Sequence, residues 1–262
     1  MLKIRVVKIG GNELEQADWV AGCARALGQA GGPLVVVHGG GRAVSAWSRR
    51  LGLPVEQRHG LRVTTPAVAA VVEMVLAGPM NRLLVGALRE AGLDALGLSG
   101  TDGGLLSARP LHGGALGHVG EVAEVRVSLL HSLLLAGLTP VIAPVAPDAS
   151  AGAGGVPLNV NADHAAAAIA AALRAQELLF VSDVPAVTVQ GAPQATVAAT
   201  EIEALIELGV AANGMAAKLR AAAQAARAGV RSVRIGSPDM LASAAAGTRL
   251  VALPPAAEPL PA

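Results

Sequence analysis

Ile4-Arg5-Val6-Val7-Lys8-Ile9-Gly10-Gly11 is a run of β-branched and apolar residues stopped by a glycine pair. That composition is the mark of a buried strand rather than a half-exposed one, whose polar residues would alternate. Glu15 to Ala30 then reads as a helix closed by Gly31-Gly32-Pro33. Leu34 to Val37 repeats the short strand, ending in His38-Gly39-Gly40-Gly41, and Arg42 to Leu51 repeats the helix. Strand, helix, strand and helix joined by short connections predict an α/β fold with a parallel sheet covered on both faces.

The same reading extends along the chain. Arg58 to Val63 is expected to form part of a hairpin, and Thr64-Thr65-Pro66 to start a helix. Helices are expected over Pro66–Ala77 and Met80–Ala91, separated by Gly78-Pro79. Leu93–Leu98 is a strand, Leu116–Val127 a hairpin region, Ser128–Ala136 a helix and Thr139–Ala143 a further buried strand. Asp148–Gly155 is a flexible loop leading to Leu158-Asn159-Val160-Asn161-Ala162-Asp163 and then an alanine-rich helix to Leu173. Beyond lie a strand Glu177–Val181, helices Thr200–Leu208 and Gly214–Ala228, and strands Ser232–Ile235 and Arg249–Ala252. The Pro/Ala-rich tail from Pro254 is expected to fray. Two lobes are expected, with a seam near residues 174–180, giving units of 1–176 and 177–262.

Composition narrows the function. The 262 residues are 53% hydrophobic and 15% charged with a net charge of +1, which fits a compact fold and gives no reason to expect nucleic acid or a membrane as partner. Trp19, Trp47 and Phe180 are the whole aromatic set, so there is no platform for stacking bases. Cys23 is alone, which fits a reducing cytoplasm. The basic start runs straight into Gly-Gly and lacks the pattern of a signal peptide, and no apolar run is expected to span a bilayer. The chain is expected to be soluble and cytoplasmic.

Lysine is scarce: Lys3, Lys8 and Lys218 are the three in the sequence, against many arginines. An ammonium is not interchangeable with a guanidinium, so lysines kept beside glycine motifs point to a need for a compact cation. Gly10-Gly11 and Gly39-Gly40-Gly41 both follow strands and precede helices, at the edge where open α/β sheets bind ligands. Glycine there lets backbone N–H groups approach an anion. Asn159 and Asn161 can cap the alanine helix and Asp163 sits in its first turn, next to the positive end of the dipole. Asp163 is expected to stay ionised and hold Lys8 and Lys218 around a transferring phosphate. Competing readings exist for each residue: a plain N-cap for the asparagines, a solvated surface charge for Lys218, an exposed hairpin cation for Arg62 and a simple turn residue for Asp183. No Walker loop, dinucleotide fingerprint or Gly-x-Ser-x-Gly elbow is present, and the six histidines lack metal spacing. His38 is expected to pack or hydrogen-bond at its strand end rather than to ligate.

Six motifs occur in order: Val7-Lys8-Ile9-Gly10-Gly11, Val37-His38-Gly39-Gly40-Gly41, Gly60-Leu61-Arg62-Val63-Thr64, Asn159-Val160-Asn161-Ala162-Asp163, Val181-Ser182-Asp183-Val184-Pro185 and Gly214-Met215-Ala216-Ala217-Lys218. Together they closely resemble the amino-acid kinase family, over about Lys3 to Leu250. The resemblance implies an open three-layer αβα sandwich with a mainly parallel central sheet and two lobes. The N-terminal lobe would bind the amino acid and form the dimer, and the C-terminal lobe would bind the nucleotide. It implies transfer of a phosphoryl group from ATP, with Mg²⁺ held mainly by the nucleotide phosphates, to the side-chain carboxylate of N-acetyl-L-glutamate, as in arginine biosynthesis. Lys8, Lys218 and Asp163 would be catalytic, with Gly10 and Gly11 donating N–H groups to phosphates. Gly40, Gly41, Arg62 and Asn159 would bind the acetylglutamate, Arg62 as a clamp on the α-carboxylate. Ser182, Asp183, Val184 and Met215 would line the nucleotide site.

Departures from the family pattern are Ala186, where glycine is usual, and Thr101, where lysine is frequent. Few residues precede the first strand, which leads to the expectation of a homodimer insensitive to arginine. Two other functions stand beside the first. One is a kinase for carrier-protein-bound α-aminoadipate or glutamate, which would be expected to alter the Gly60–Thr64 motif. The other is a non-catalytic sensor, which would not need Lys8, Asp163 and Lys218 together.

Overall fold

A computed structural model describes residues 2–11, 13–58, 60–151, 154–209 and 213–252. Residues 152–153 of the expected loop and the tail from Pro254 lie outside the described residues. Eight strands form one sheet: β1 (Arg5–Ile9), β2 (Leu34–His38), β3 (Ala95–Ser99), β4 (Thr139–Ala143), β5 (Glu177–Val181), β6 (Thr196–Ala198), β7 (Ser232–Gly236) and β8 (Thr248–Val251). Their order is β6-β8-β7-β5-β1-β2-β4-β3. Every pairing is parallel except β7 with β8. β1 lies between β2 and β5, with Lys8 opposite Val37 on one side and Phe180 on the other.

Side chains on a strand alternate between faces, and here each face has its own core. Val6, Phe180 and Ile235 join the core under α5 (Val127–Leu135), α6 (Ala162–Ala172) and α8 (Asn213–Arg227). Val7, Ile9 and Val181 join the opposite core, with α1 (Ala17–Ala30), α2 (Gly41–Arg50), α3 (Pro66–Val75) and α4 (Asn81–Glu90), while α7 (Ile202–Glu207) lies on the first face. The result is the expected three-layer αβα sandwich. A fully buried Val, Leu or Phe contributes about 1.5–3 kcal/mol, so these two cores dominate the stability of the sheet. Parity also decides the site. Lys8 shares the face of Val6, toward α6 and α8, whereas His38 shares the face of Val36, toward α4.

Three expectations need correction. The hairpin placed in Leu116–Val127 has its first arm upstream: Leu106–Pro110 pairs antiparallel with Val119–Val125. Pro110 obscured that arm in the sequence, and it is tolerated because Leu106–Pro110 is the edge strand of its four-stranded sheet. Leu158–Val160, read as the approach to a helix, is itself a strand of that small sheet, parallel to Val119–Val125. Finally, Pro66–Glu90 forms a helical run long and apolar enough to cross a membrane, contrary to the expectation that no such run exists. Of its most apolar window 56% is buried in the fold, and the backbone kinks at Gly78 before Pro79. Val68, Val71, Val72 and Leu84 from this run are core residues of the face shared with α1.

Candidate active site

The carboxyl ends of β1, β2 and β5 open on a cleft of about 400 Å³. Lys8 enters it from the next-to-last position of β1, and Asp163 reaches it from the first turn of α6. The Lys8 ammonium stands 2.9 Å from Asp163 Oδ1, both groups largely buried. Oδ1 has no well-aligned hydrogen-bond donor among the described residues, so the attraction between the two is chiefly electrostatic. Asp163 is free for this pairing because Asn161 does the capping. Its side-chain oxygen accepts from the N–H groups of Asp163 and His164 at 2.8 and 3.2 Å. Lys218 projects from α8 into the same cleft and is 8% exposed. Burial first, and the like charge of Lys8 second, push its pKa down to about 8, against the attraction of Asp163, Glu13 and Asp183.

Alanine makes this convergence possible. Ala165, Ala166 and Ala170 of α6 and Ala221, Ala222 and Ala225 of α8 are buried in one cluster. Without bulk between them the helices approach closely, and the first turn of α6 and the second turn of α8 bring Asp163 and Lys218 to one cleft.

The two glycine turns cross beside the ammonium groups. A side chain at Gly11 would collide with the backbone of Gly40, and one at Gly40 with Leu76. The Gly10 N–H already donates to Val181 at 3.1 Å, and that of Gly39 to Ile9 at 3.2 Å. Gly10 therefore shapes the turn while its N–H belongs to the sheet. Gly11, Gly40 and Gly41 line the cleft as expected.

Arg62 comes from the hairpin strand Leu61–Arg62 and is 9% exposed. Its Nη2 donates to the Gly41 carbonyl at 2.8 Å and to Ser45 Oγ at 2.7 Å, while Nη1 is buried without a partner among the described residues. Asn159 donates to Thr64 Oγ1 at 3.3 Å, and Thr64 in turn donates to the Arg62 carbonyl at 2.9 Å. Arg62 is thus a held cation, not an exposed one. Ser182, Asp183, Val184 and Met215 line the cleft beside Lys218. Thr101 lies apart, with its hydroxyl 2.6 Å from that of Ser99.

His38 bears out its reading as a hydrogen-bonding residue. The Asn81 amide donates to its Nε2 at 3.1 Å, so Nδ1 carries the proton and donates to the Gly39 carbonyl at 2.9 Å. Asn81 also donates to Val141 at 2.9 Å. Complete burial lowers the His38 pKa to about 4, with the Gly39 bond opposing and the Lys8 charge assisting. The unfolded chain takes up this proton near pH 6.5, the folded chain only near 4, so stability falls as pH drops across that window. The full loss is about 3 kcal/mol. Thermal denaturation between pH 7 and 4 is expected to show it, and His38→Gln to flatten the slope; equal slopes in both would refute the assignment.

Three buried polar atoms without partners among the described residues, on Glu13, Arg62 and Ser182, line this one cleft. Native folds rarely leave such atoms unpaired, and a cluster of them marks where a polar ligand belongs. Sequence reading missed Glu13, Ser45 and Asn81. For Ser45 a signal existed, since a hydroxyl one helical turn after Gly41 can bond back to it, and does so at 2.9 Å.

Paired ammonium groups over glycine turns at a parallel sheet edge define a site for phosphoryl groups. The amino acid kinase family model matches residues 3–237, and the chain belongs to that family. Acetylglutamate kinase of Chloroflexus aurantiacus is 46% identical over 237 residues, covering 90% of this chain and 92% of that protein. Acetylglutamate kinase of Geobacillus stearothermophilus is 45% identical over 226 residues, 86% of each chain. Among solved structures, a Streptococcus mutans protein superposes with a TM-score of 0.82 at 28% identity, covering 96% of this chain and 100% of that one. N-acetylglutamate synthase from Neisseria gonorrhoeae, complexed with coenzyme A and N-acetyl-glutamate, shares the fold with a TM-score of 0.78 at 23% identity, covering 95% of this chain and 59% of that one.

Proposed function

We infer that this chain phosphorylates the side-chain carboxylate of N-acetyl-L-glutamate with ATP, the activity named for its curated relatives and a step of arginine biosynthesis. The observation that carries the chemistry is the meeting of Lys8, Asp163 and Lys218 in a glycine-floored cleft. A substrate carboxylate oxygen attacks the γ-phosphorus. The new O–P bond forms as the bond to the β,γ-bridging oxygen breaks, and that oxygen leaves on ADP with the electron pair. No base is required, because the nucleophile is ionised at neutral pH. What the reaction needs is positive charge over the phosphoryl oxygens and the leaving group. In this reading Lys8 serves the transferring group, Lys218 the leaving oxygens, and Asp163 orients them. Gly11, Gly40 and Gly41 offer N–H groups, and Asn159 grips the acetylglutamate. Ser182, Asp183, Val184 and Met215 line the nucleotide side. Magnesium enters as part of the nucleotide, held by its phosphates.

Arg62 would clamp the α-carboxylate through Nη1, the atom left unpaired. A charged hydrogen bond contributes about 1.5–3 kcal/mol, so Arg62→Ala is expected to raise the KM for acetylglutamate about 10- to 100-fold with kcat changed much less. Steady-state kinetics check this; an unchanged KM would remove Arg62 from the substrate site.

The division into an amino-acid lobe, residues 1–176, and a nucleotide lobe, 177–262, is part of the same proposal, as are a cytoplasmic location and a homodimer. Exposed Met74 on α3 and Leu83 on α4 are apolar surface available to a second copy. Sedimentation equilibrium tests the dimer. Coupled ADP release tests the reaction, comparing acetylglutamate, glutamate and α-aminoadipate. Preference for acetylglutamate is the expected result. Turnover with a carrier-bound substrate, or with none, would overturn it.

A further inference from the structure

Ser45 sits one helical turn after Gly41 on α2 and is 9% exposed, and the phosphoryl-transfer steps do not use it. Its hydroxyl is engaged on both sides. The single proton goes to the Gly41 carbonyl at 2.9 Å, so toward Arg62 Nη2, at 2.7 Å, the oxygen can only accept. The same Nη2 donates to the Gly41 carbonyl at 2.8 Å. Nη2 carries two hydrogens, and these two bonds use both. Nη1 is left buried and without a partner among the described residues. A hydroxyl that merely back-bonds to its own helix has no need of such a neighbour.

What holds Arg62 matters as much as that it is held. Among the described residues no carboxylate pairs with this guanidinium. Burial works against its charge first, and Arg49, one turn beyond Ser45 on α2, works against it second. A carboxylate partner would anchor the guanidinium and also neutralise it. Two neutral oxygens anchor it and leave its positive charge for an incoming anion. The anchor also ties the short strand Leu61–Arg62 to the glycine turn at the start of α2. We propose that Ser45 is a positioning residue for the amino-acid substrate: its oxygen locks Arg62 Nη2 against the glycine turn, so that Nη1 is the group offered to the α-carboxylate. It acts through Arg62 and not on the substrate. The role deepens the kinase reading and rests on it.

One bond is lost in Ser45→Ala while the bond to Gly41 remains, so the effect is smaller than that of removing Arg62. Ser45→Ala is expected to raise the KM for acetylglutamate about 3- to 10-fold, with kcat and the KM for ATP moved far less. Ser45→Thr keeps the oxygen and should stay near the parent value. Coupling separates positioning from helix support: in an Arg62→Ala chain, Ser45→Ala should change the KM no further. An undiminished effect in that background overturns the proposal, as does an unchanged KM in Ser45→Ala where Arg62→Ala raises it. An effect confined to Tm or to kcat overturns it as well. A second readout needs no substrate. In ¹H–¹⁵N spectra of arginine side chains in the full chain, Arg62→Lys removes and so assigns the Arg62 signals. Rotation about the Arg62 Cζ–Nη2 bond should be slow in the parent chain and in Ser45→Thr, and faster in Ser45→Ala. Unchanged rotation in Ser45→Ala refutes the link. Should Ser45→Ala not fold, Ser45→Cys, a weaker acceptor, takes its place in both measurements. Faster rotation in a chain that never releases ADP would support the Ser45–Arg62 link while refuting the kinase.

Discussion

Lys8→Ala and Lys218→Ala are each expected to lower kcat by about 10²–10³-fold, the scale of one preorganised charge-stabilising donor, while KM for either substrate moves far less. The asymmetry follows from where the charge appears. On the proposed reading ATP would bring its own magnesium in the ground state, and the glycine turns and Arg62 would hold the substrates. Charge would shift onto the transferring and bridging oxygens during the reaction, where that reading places the two ammonium groups in advance. Lys8 is fixed by β1, whose backbone is paired on both sides, and Lys218 by α8 packed on α6. Arginine at either position is expected to restore little, because a planar fork on a longer stem cannot occupy the place of a compact ammonium. Steady-state rates under saturating substrates check this, and a main effect on KM in both variants would contradict the assignment.

Asp163→Ala is expected to damage stability as well as rate. Asp163 and Lys8 are 6% and 7% exposed, and removing one partner of a buried pair leaves the other charge uncompensated. Such losses run to about 3–5 kcal/mol, several times what an exposed pair contributes. The exposed Arg220–Glu203 pair, 2.7 Å apart on the surface, is the internal control. Glu203→Ala should shift the urea midpoint little where Asp163→Ala shifts it strongly. Bound nucleotide should narrow the gap by supplying the missing negative charge to Lys8. Equal midpoints for the two variants would mean that the Lys8–Asp163 pair is not buried as described.

The parts of this site that were legible in the sequence are those where one residue's chemistry is unusual in its local setting. Lys8 is an ammonium inside a strand otherwise fit for the core, and parity alone sends it to the α6 face. Lys218 stood out because arginine fills nearly every other basic position. The asparagine–aspartate alternation was legible as a set, but the division of labour was not: Asn161 caps, Asn159 turns to Thr64, and Asp163 meets the lysine. Glu13 was not legible, because Glu13-Leu14-Glu15 does not say which acid turns inward. Tertiary packing decides it. Asn81 looks like an ordinary helix residue until His38 and Val141 are brought against it. In the fold, the hairpin near Arg58–Val63 was expected and forms, but the edge strand ending at Pro110 and the two-residue strands Val145–Ala146, Thr188–Val189 and Ala192–Pro193 escaped because segments so short carry too few alternations to display a period. The continuous run through Gly78-Pro79 escaped because a kinked helix and two separate helices share one sequence pattern.

The central pairing of β1 with β5 has a consequence for the newly made protein. Lys8 is made with β1 and Lys218 only later with α8, and β5, made between them, must dock beside β1 before the two ammonium groups meet. On the proposed reading, competence to handle ATP therefore waits for α8. A chain that stops before α8 carries half of the charge constellation and would be expected to spend no nucleotide on an unfinished acceptor site.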